Sequence, residues 1–276
     1  SDTVASVGKY AFYECKNIEY IYLPNSLERI DFLAFYNNKT SIYYVEYDGT
    51  LEEFILIDFS TLSGPPASSN LMYYAKEMYF YNDNGELYDF KTLTDVSLEN
   101  ASVICAHSLA GLTLNSVTIS GDVEQFVQTD VIFYNCNISN LYFNGDINDW
   151  VKTKISQSRS IKSIPNIYIK NEEGVYQKVL EITDIEVSNT GTVDSNTFQL
   201  FTSLKNVKFG EGVTRLNMSL FAHIDLDTVI LSNDIVEMLS VMYDNTIKNV
   251  YYEGTIDEWL KISYAQTSQY TPGLTC

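Results

Sequence analysis

One apolar pattern constrains this chain more than any other feature. The spacing apolar-x-x-apolar-x-apolar, with some slack at its first position, recurs from "NIEYIYL" at Asn17 to "IKNVYYE" at Ile247. Its central residues are Ile21, Val45, Met78, Val96, Val117, Leu141, Ile167, Ile185, Val207, Val229 and Val250. Successive gaps are 24, 33, 18, 21, 24, 26, 18, 22, 22 and 21 residues, so most fall in or near the range of strand-bearing repeats. The last four residues of each pattern alternate apolar and polar and are rich in β-branched and aromatic side chains. That marks a short strand with one buried face. One such strand per repeat makes each repeat a coil of a stack, with strands about 4.8 Å apart, so that eleven would span roughly 50 Å. The expected fold is a mainly β repeat solenoid with one parallel strand ladder, residues 1–276 forming a single domain.

A second marker lies between the strands. Phe12, Phe35, Phe133, Phe198 and Phe221, with Leu109 in the same role, precede the next central strand residue by 8 to 10 positions. Val7, Ile30, Val193 and Leu216 stand five residues before their phenylalanines. Each coil is therefore expected to bury its strand on one side and its Phe on the other, stacking aromatics along the axis. No sustained helical period occurs on this return side, which predicts extended pieces and tight turns.

Three related phrases interrupt the repeat: "VEYDGTLEEFILIDFS", "LYFNGDINDWVKTKIS" and "VYYEGTIDEWLKISYA". Thr50 with Glu53 and Thr255 with Glu258 form capping boxes, and Asp146 with Asp149 forms a weaker one. Each predicts a short helix that buries Phe54, Trp150 or Trp259 against a neighbouring coil. Loops follow, "STLSGPPASSN", "SQSRSIKSIPN" and "AQTSQYTPGL". After the first two come hairpin signals at Asn84-Gly85 and Glu173-Gly174. These helix-plus-hairpin inserts define super-repeats over about 49–144 and 145–253. Both ends of the chain fall mid-module, and it opens without a charged and apolar leader, as a fragment of a longer repeat array would.

The stretch "VGKYAFYECKNIEYIYLPNSLERIDFLAF" resembles the BspA-like leucine-rich repeat proteins. Ala11, Phe12, Cys15 and Ile18 fit the family's Ala-Phe-x-x-Cys-x-x-Leu core, and Leu23-Pro24 fits its step after the strand. Later coils depart from it. Phe201 stands where the Cys would be, Ile224 near that place, and Cys136 is one residue closer to its Ile. The resemblance covers nearly the whole chain. It implies a right-handed leucine-rich-repeat coil and bacterial surface adhesion to host or matrix proteins or to other cells.

Composition narrows the function classes. Hydrophobic residues make up 45% of 276, enough for a substantial core. A net charge of −19 opposes nucleic acid and anionic membranes, both of which need Lys and Arg to neutralise phosphate. No apolar run is long enough to insert in a membrane. Four scattered Cys and two His, His107 and His223, draw no zinc site, so no metal or cofactor is expected. Cys15, Cys105 and Cys136 read as buried thiols. "NDNGE" at Asn82 lacks the twelve-residue calcium pattern and reads as a turn. The sequons at Asn38, Asn100, Asn137 and Asn217 matter only in a glycosylating secretory pathway.

No general acid–base pair can be placed, which leaves a glycan-degrading enzyme without its machinery. The remaining candidate is the outward face of the strands. Its middle row runs Tyr22, Glu46, Tyr79, Ser97, Thr118, Tyr142, Tyr168, Glu186, Lys208, Ile230 and Tyr251. A flanking row holds Tyr20, Tyr44, Glu77, Asp95, Ser116, Asn140, Asn166, Asp184, Asn206, Thr228 and Asn249. Tyr offers apolar area with a polar tip, so Tyr22, Tyr79, Tyr142, Tyr168 and Tyr251 are the expected ligand contacts on a concave strand face. The partners expected are host or matrix proteins or surface glycans. Two alternatives stand beside this: the β preference of Tyr alone, on a passive spacer carrying other domains, and the enzyme.

Overall fold

A computed structural model describes residues 3–36, 38, 42–59, 71–105, 109, 111–126, 133, 136–153, 155, 160–221, 223–239, 241 and 245–264. The loop 60–70, residues 156–159 and 265–276, His107 and Cys276 lie outside the described residues. The chain divides into two compact units, Ser1–Leu141 with Ser158–Pro165, and Tyr142–Gln157 with Asn166–Cys276. It is mostly β, with parallel strands in sheets and few helices.

All eleven repeat centres lie in strands. In the first unit Ile21 pairs with Val45, Val45 with Met78, and Val96 with Val117, all parallel. In the second, Ile185 pairs with Val207, Val207 with Val229, and Val229 with Val250. Side chains alternate across a strand, so one matched register buries every centre together. Val45, Met78, Val117, Val207 and Val229 are at most 1% exposed. Ile21 is half-buried and Val250 is 37% exposed, on the first and last of the repeat strands, whereas Val96 and Ile185, also on outermost strands of their sheets, stay buried.

The expected continuous ladder is broken. The far edge of Glu77–Tyr81 carries the antiparallel strand Leu87–Asp89, and that of Asn166–Lys170 carries Tyr176–Lys178. Each hairpin return strand takes the place that the next repeat strand would fill. The turns explain themselves locally. Gly85 and Gly174 adopt φ of 74° and 76°, a region open to glycine. The Asn three residues earlier, Asn82 or Asn171, accepts two backbone N–H bonds on its side chain at 2.8–3.1 Å. The hairpin turns expected at Asn84-Gly85 and Glu173-Gly174 form, with Asn82 and Asn171 as their side-chain acceptors, and "NDNGE" is a turn.

On the return side Phe12 stacks on Phe35 at 5.1 Å and Phe198 on Phe221 at 5.5 Å, with rings 11° and 13° from parallel. Phe35, Leu109, Phe133, Phe198 and Phe221 are buried, whereas Phe12 is 40% exposed. Short parallel strands run beside them. Ser6–Val7 pairs with Arg29–Ile30, and Gly191–Val193, Val213–Leu216, Glu237–Met238 and Ser263–Tyr264 pair in succession. The chain enters Phe12, Phe35, Phe198 and Phe221 through a left-handed residue two positions earlier: Tyr10, Leu33, Asn196 and Ser219 have φ from 55° to 61°.

The three predicted helices form. Leu51–Phe54 and Ile256–Trp259 carry full capping boxes, and Asp146 with Asp149 makes the same reciprocal bonds at the start of Ile147–Thr153. In each, the insert aromatic meets the last apolar residue of the preceding strand edge-on, Tyr47–Phe54, Phe143–Trp150 and Tyr252–Trp259, at 5.2–5.6 Å. Phe54 and Trp150 are fully buried, and Trp150 Nε1 donates to the Thr197 carbonyl at 3.2 Å. Trp259 is only half-buried, against expectation, because its described ring neighbours are Tyr252 and Tyr264 alone. The glycine of the phrase has a steric reason. A Cβ at Gly49 would collide with Glu53 Oε2, the oxygen that closes the capping box, and would lie 2.7 Å from the Tyr47 ring.

Phe198→Ala is expected to lower the unfolding free energy by about 3–5 kcal/mol in chemical denaturation. Tyr251→Ala, at a position 57% exposed, should change it by no more than about 0.5 kcal/mol. Gly49→Ala should cost about 1 kcal/mol or more, the worth of the displaced cap.

Candidate functional site

The strand register fixes which outward side chains meet. In the first unit Tyr22, Glu46 and Tyr79 share one row, and Tyr20, Tyr44 and Glu77 the next. Diagonal neighbours across such strands lie within reach of aromatic side chains. Tyr44 therefore stacks on Tyr79 at 4.9 Å and lies 6.0 Å from both Tyr20 and Tyr22. Its hydroxyl donates to Glu46 Oε2 at 2.5 Å, and Tyr81 donates to Glu46 Oε1 at 3.1 Å. Burial, then the Glu46 bond, pushes the Tyr44 phenol well up, so it stays a protonated donor across physiological pH.

In the second unit Tyr142 stacks on Tyr168 at 4.9 Å, rings 12° from parallel, and Tyr176 packs edge-on against Tyr142 at 5.1 Å. Lys170 Nζ sits 5.5 Å over the Tyr176 ring. Tyr251 lies in a row with Glu186, Lys208 and Ile230, and Lys208 and Glu186 form an ion pair at 3.0 Å. The five expected Tyr contacts thus divide: Tyr22 and Tyr79 join one cluster, Tyr142 and Tyr168 another, and Tyr251, 57% exposed, belongs to neither. The central position of Tyr44 and the presence of Tyr176 escape a one-row reading. The signal for both was the pairing register, and for Tyr176 the hairpin turn.

A polar ladder flanks the tyrosines. Asp95 accepts from Ser116, Thr94 and Asn115, and Asp184 from Thr183 and Asn206. These donors hold both carboxyls below the usual Asp range. A depressed folded value means the stabilisation is present above the unfolded Asp range and is lost as pH falls through the folded value.

The thiols have a different role. Cys136 Sγ donates to the Leu109 carbonyl at 2.8 Å, and Cys105 Sγ to the Leu56 carbonyl at 3.3 Å. Asn38 Nδ2 makes the equivalent bond to the Phe12 carbonyl at 2.6 Å. At Cys136 and Asn38, the small polar residue three places after the Phe is thus a coil-to-coil donor, and Cys or Asn fills the role. Phe201 replaces it with an edge-on ring against Trp150 at 5.9 Å. Cys105 is buried as expected, whereas Cys15 and Cys136 are only half-buried. Burial pushes the Cys105 and Cys136 thiols up to about 11. Among the described residues no group of His, Cys, Asp and Glu is placed to hold a metal ion.

The pattern of the BspA type leucine rich repeat region, in six copies, matches residues 1–84, 83–171 and 169–268. The chain belongs to the BspA-type leucine-rich repeat family. Its stacked phenylalanines and in-register strand centres fall within the matched residues. Among solved structures, the chain is similar to a leucine rich cell surface protein from Faecalibacterium prausnitzii, at 16% identity and a TM-score of 0.29, over 92% of this chain and 64% of that one. The chain therefore spans less than two thirds of that protein's length. No curated protein matches it.

Thiolate, not thiol, is the reacting form. At pH 8 iodoacetamide is therefore expected to leave Cys105 and Cys136 unlabelled in the native chain while labelling both fully after unfolding. Peptide mass spectrometry reads the difference.

Proposed function

We propose that this chain is a non-catalytic leucine-rich-repeat protein of the bacterial cell surface or its secretions, which holds host or matrix proteins or surface glycans on its outward strand face. In this reading the repeats wind as a right-handed leucine-rich-repeat solenoid. Tyr22, Tyr79, Tyr142, Tyr168 and Tyr251 supply the contact area. The carrying observation is that tyrosine rings are held in rigid clusters on the polar face of the strands, while Phe, Val and Ile fill the interior. Rings fixed by stacking lose little side-chain entropy on contact, which favours Tyr at recognition surfaces. Membership of the BspA-type family supports the surface location, and the acidity of the chain agrees with partners other than nucleic acid.

One observation favours a second reading, a passive spacer. Tyr44 and Tyr81 already satisfy their hydroxyls on Glu46, so that cluster is complete without a ligand. A double variant, Tyr142→Ser with Tyr168→Ser, separates the two. A binding face predicts at least a tenfold loss of adhesion to surfaces coated with matrix proteins or mucus, about 1.4 kcal/mol. Unchanged adhesion would leave the spacer.

A further inference from the structure

The break in the ladder opens a cleft. In the second unit the hairpin strand Tyr176–Lys178 ends one sheet, and Asp184–Val187 begins the next. Between them the chain makes a single 3-10 turn, Val179–Glu181, with Val179 buried beneath it. The open space above it holds about 720 Å³ and is lined mainly by Tyr168, Tyr176, Gln177, Lys178, Glu181, Thr183 and Asp184. That volume lies within the range of small-ligand sites, which combine ring surface with a few convergent polar groups.

Each wall is pre-set. Tyr168 is braced by its parallel stack on Tyr142, and Tyr176 by its edge contact with the same ring. Lys178 stands opposite Tyr168 in the hairpin register. On the far wall Thr183 and Asn206 aim and ionise the Asp184 carboxylate at 2.5 and 2.7 Å. The first unit's hairpin differs at these same register positions. Leu87 stands where Tyr176 does, and Asp89 where Lys178 does. Asp89 is engaged within its own hairpin, accepting from Lys91 N at 2.9 Å and Met78 N at 3.3 Å. Lys178 makes no such side-chain cap. The second hairpin thus presents a ring and a donor where the first presents an aliphatic group and an internal cap.

We propose that this cleft binds a short neutral oligosaccharide, a proposal that rests on the binding-face reading above and names its ligand there. Ring faces take the C–H side of a pyranose, while the Asp184 carboxylate, Gln177 and Lys178 take its hydroxyls as acceptor and donors. Lys178 faces the carboxylates of Glu181 and Asp184, a mixed charge that suits an uncharged polar ligand. An anion would meet Asp184, and an apolar ligand would strand the polar lining.

The test is titration of the full chain with maltohexaose, cellohexaose, mannohexaose and chitohexaose, with extended peptides and immobilised matrix proteins as separate arms. At least one neutral oligosaccharide is expected to bind. Tyr176→Ala should weaken it at least tenfold and Asp184→Asn several-fold, both with cooperative unfolding retained, while Leu87→Ala, at the matching place in the first hairpin, leaves it intact. Sugar binding that survives Tyr176→Ala but falls with Tyr79→Ala overturns the cleft and keeps the face. Peptide binding that Tyr176→Ala abolishes, without sugar binding, makes a peptide the occupant and overturns the proposal. Absence of any binding in all arms overturns the face reading as well.

Discussion

Each repeat strand of this chain exposes an apolar edge that its neighbours in the sheet must cover. A lone strand such as Asn206–Phe209 buries Val207 and Phe209 because Ile185 and Val187 stand beside them on one side and Val229 and Leu231 on the other. The same dependence holds across the coil, where Phe198 lies flat against Phe221. In the first and last described repeats the equivalent group is exposed, as Phe12 and Val250 are. Stability in such a stack is a sum of nearest-neighbour terms, and the repeated spacing in the sequence is the record of that sum.

The strands and the return-side aromatics were legible because a period of two and a spacing of 8 to 10 residues both survive large changes of side chain. The capping boxes were legible because their chemistry is local. The hairpins were legible from Gly85 and Gly174, which end up in the turns. Their consequence was not: that Leu87–Asp89 and Tyr176–Lys178 would fill the sheet edge where the next repeat strand was expected depends on turn geometry set by Asn82 and Asn171. The short return-side strands, two to four residues long, carry too few positions for alternation to show. Trp259 matched Trp150 in sequence, and differs only because nothing equivalent to Thr197 and Phe201 is described beside it.

The outward face follows the same logic from the other side of the strand. Register brings Tyr44 to Tyr79 and Tyr142 to Tyr168, and the hairpin adds Tyr176. The clusters are therefore products of strand order, and the insertion that interrupts the core also shapes the surface. A device that would be a defect in a plain repeat array becomes the source of its concave feature at Asp184.

The central claim is that adjacent coils hold each other through paired ring and strand contacts. A double-mutant cycle on Phe198→Leu and Phe221→Leu measures it most directly. Stacked rings predict a coupling energy of about 0.5–1.5 kcal/mol in equilibrium unfolding. Strict additivity of the two substitutions would contradict the account.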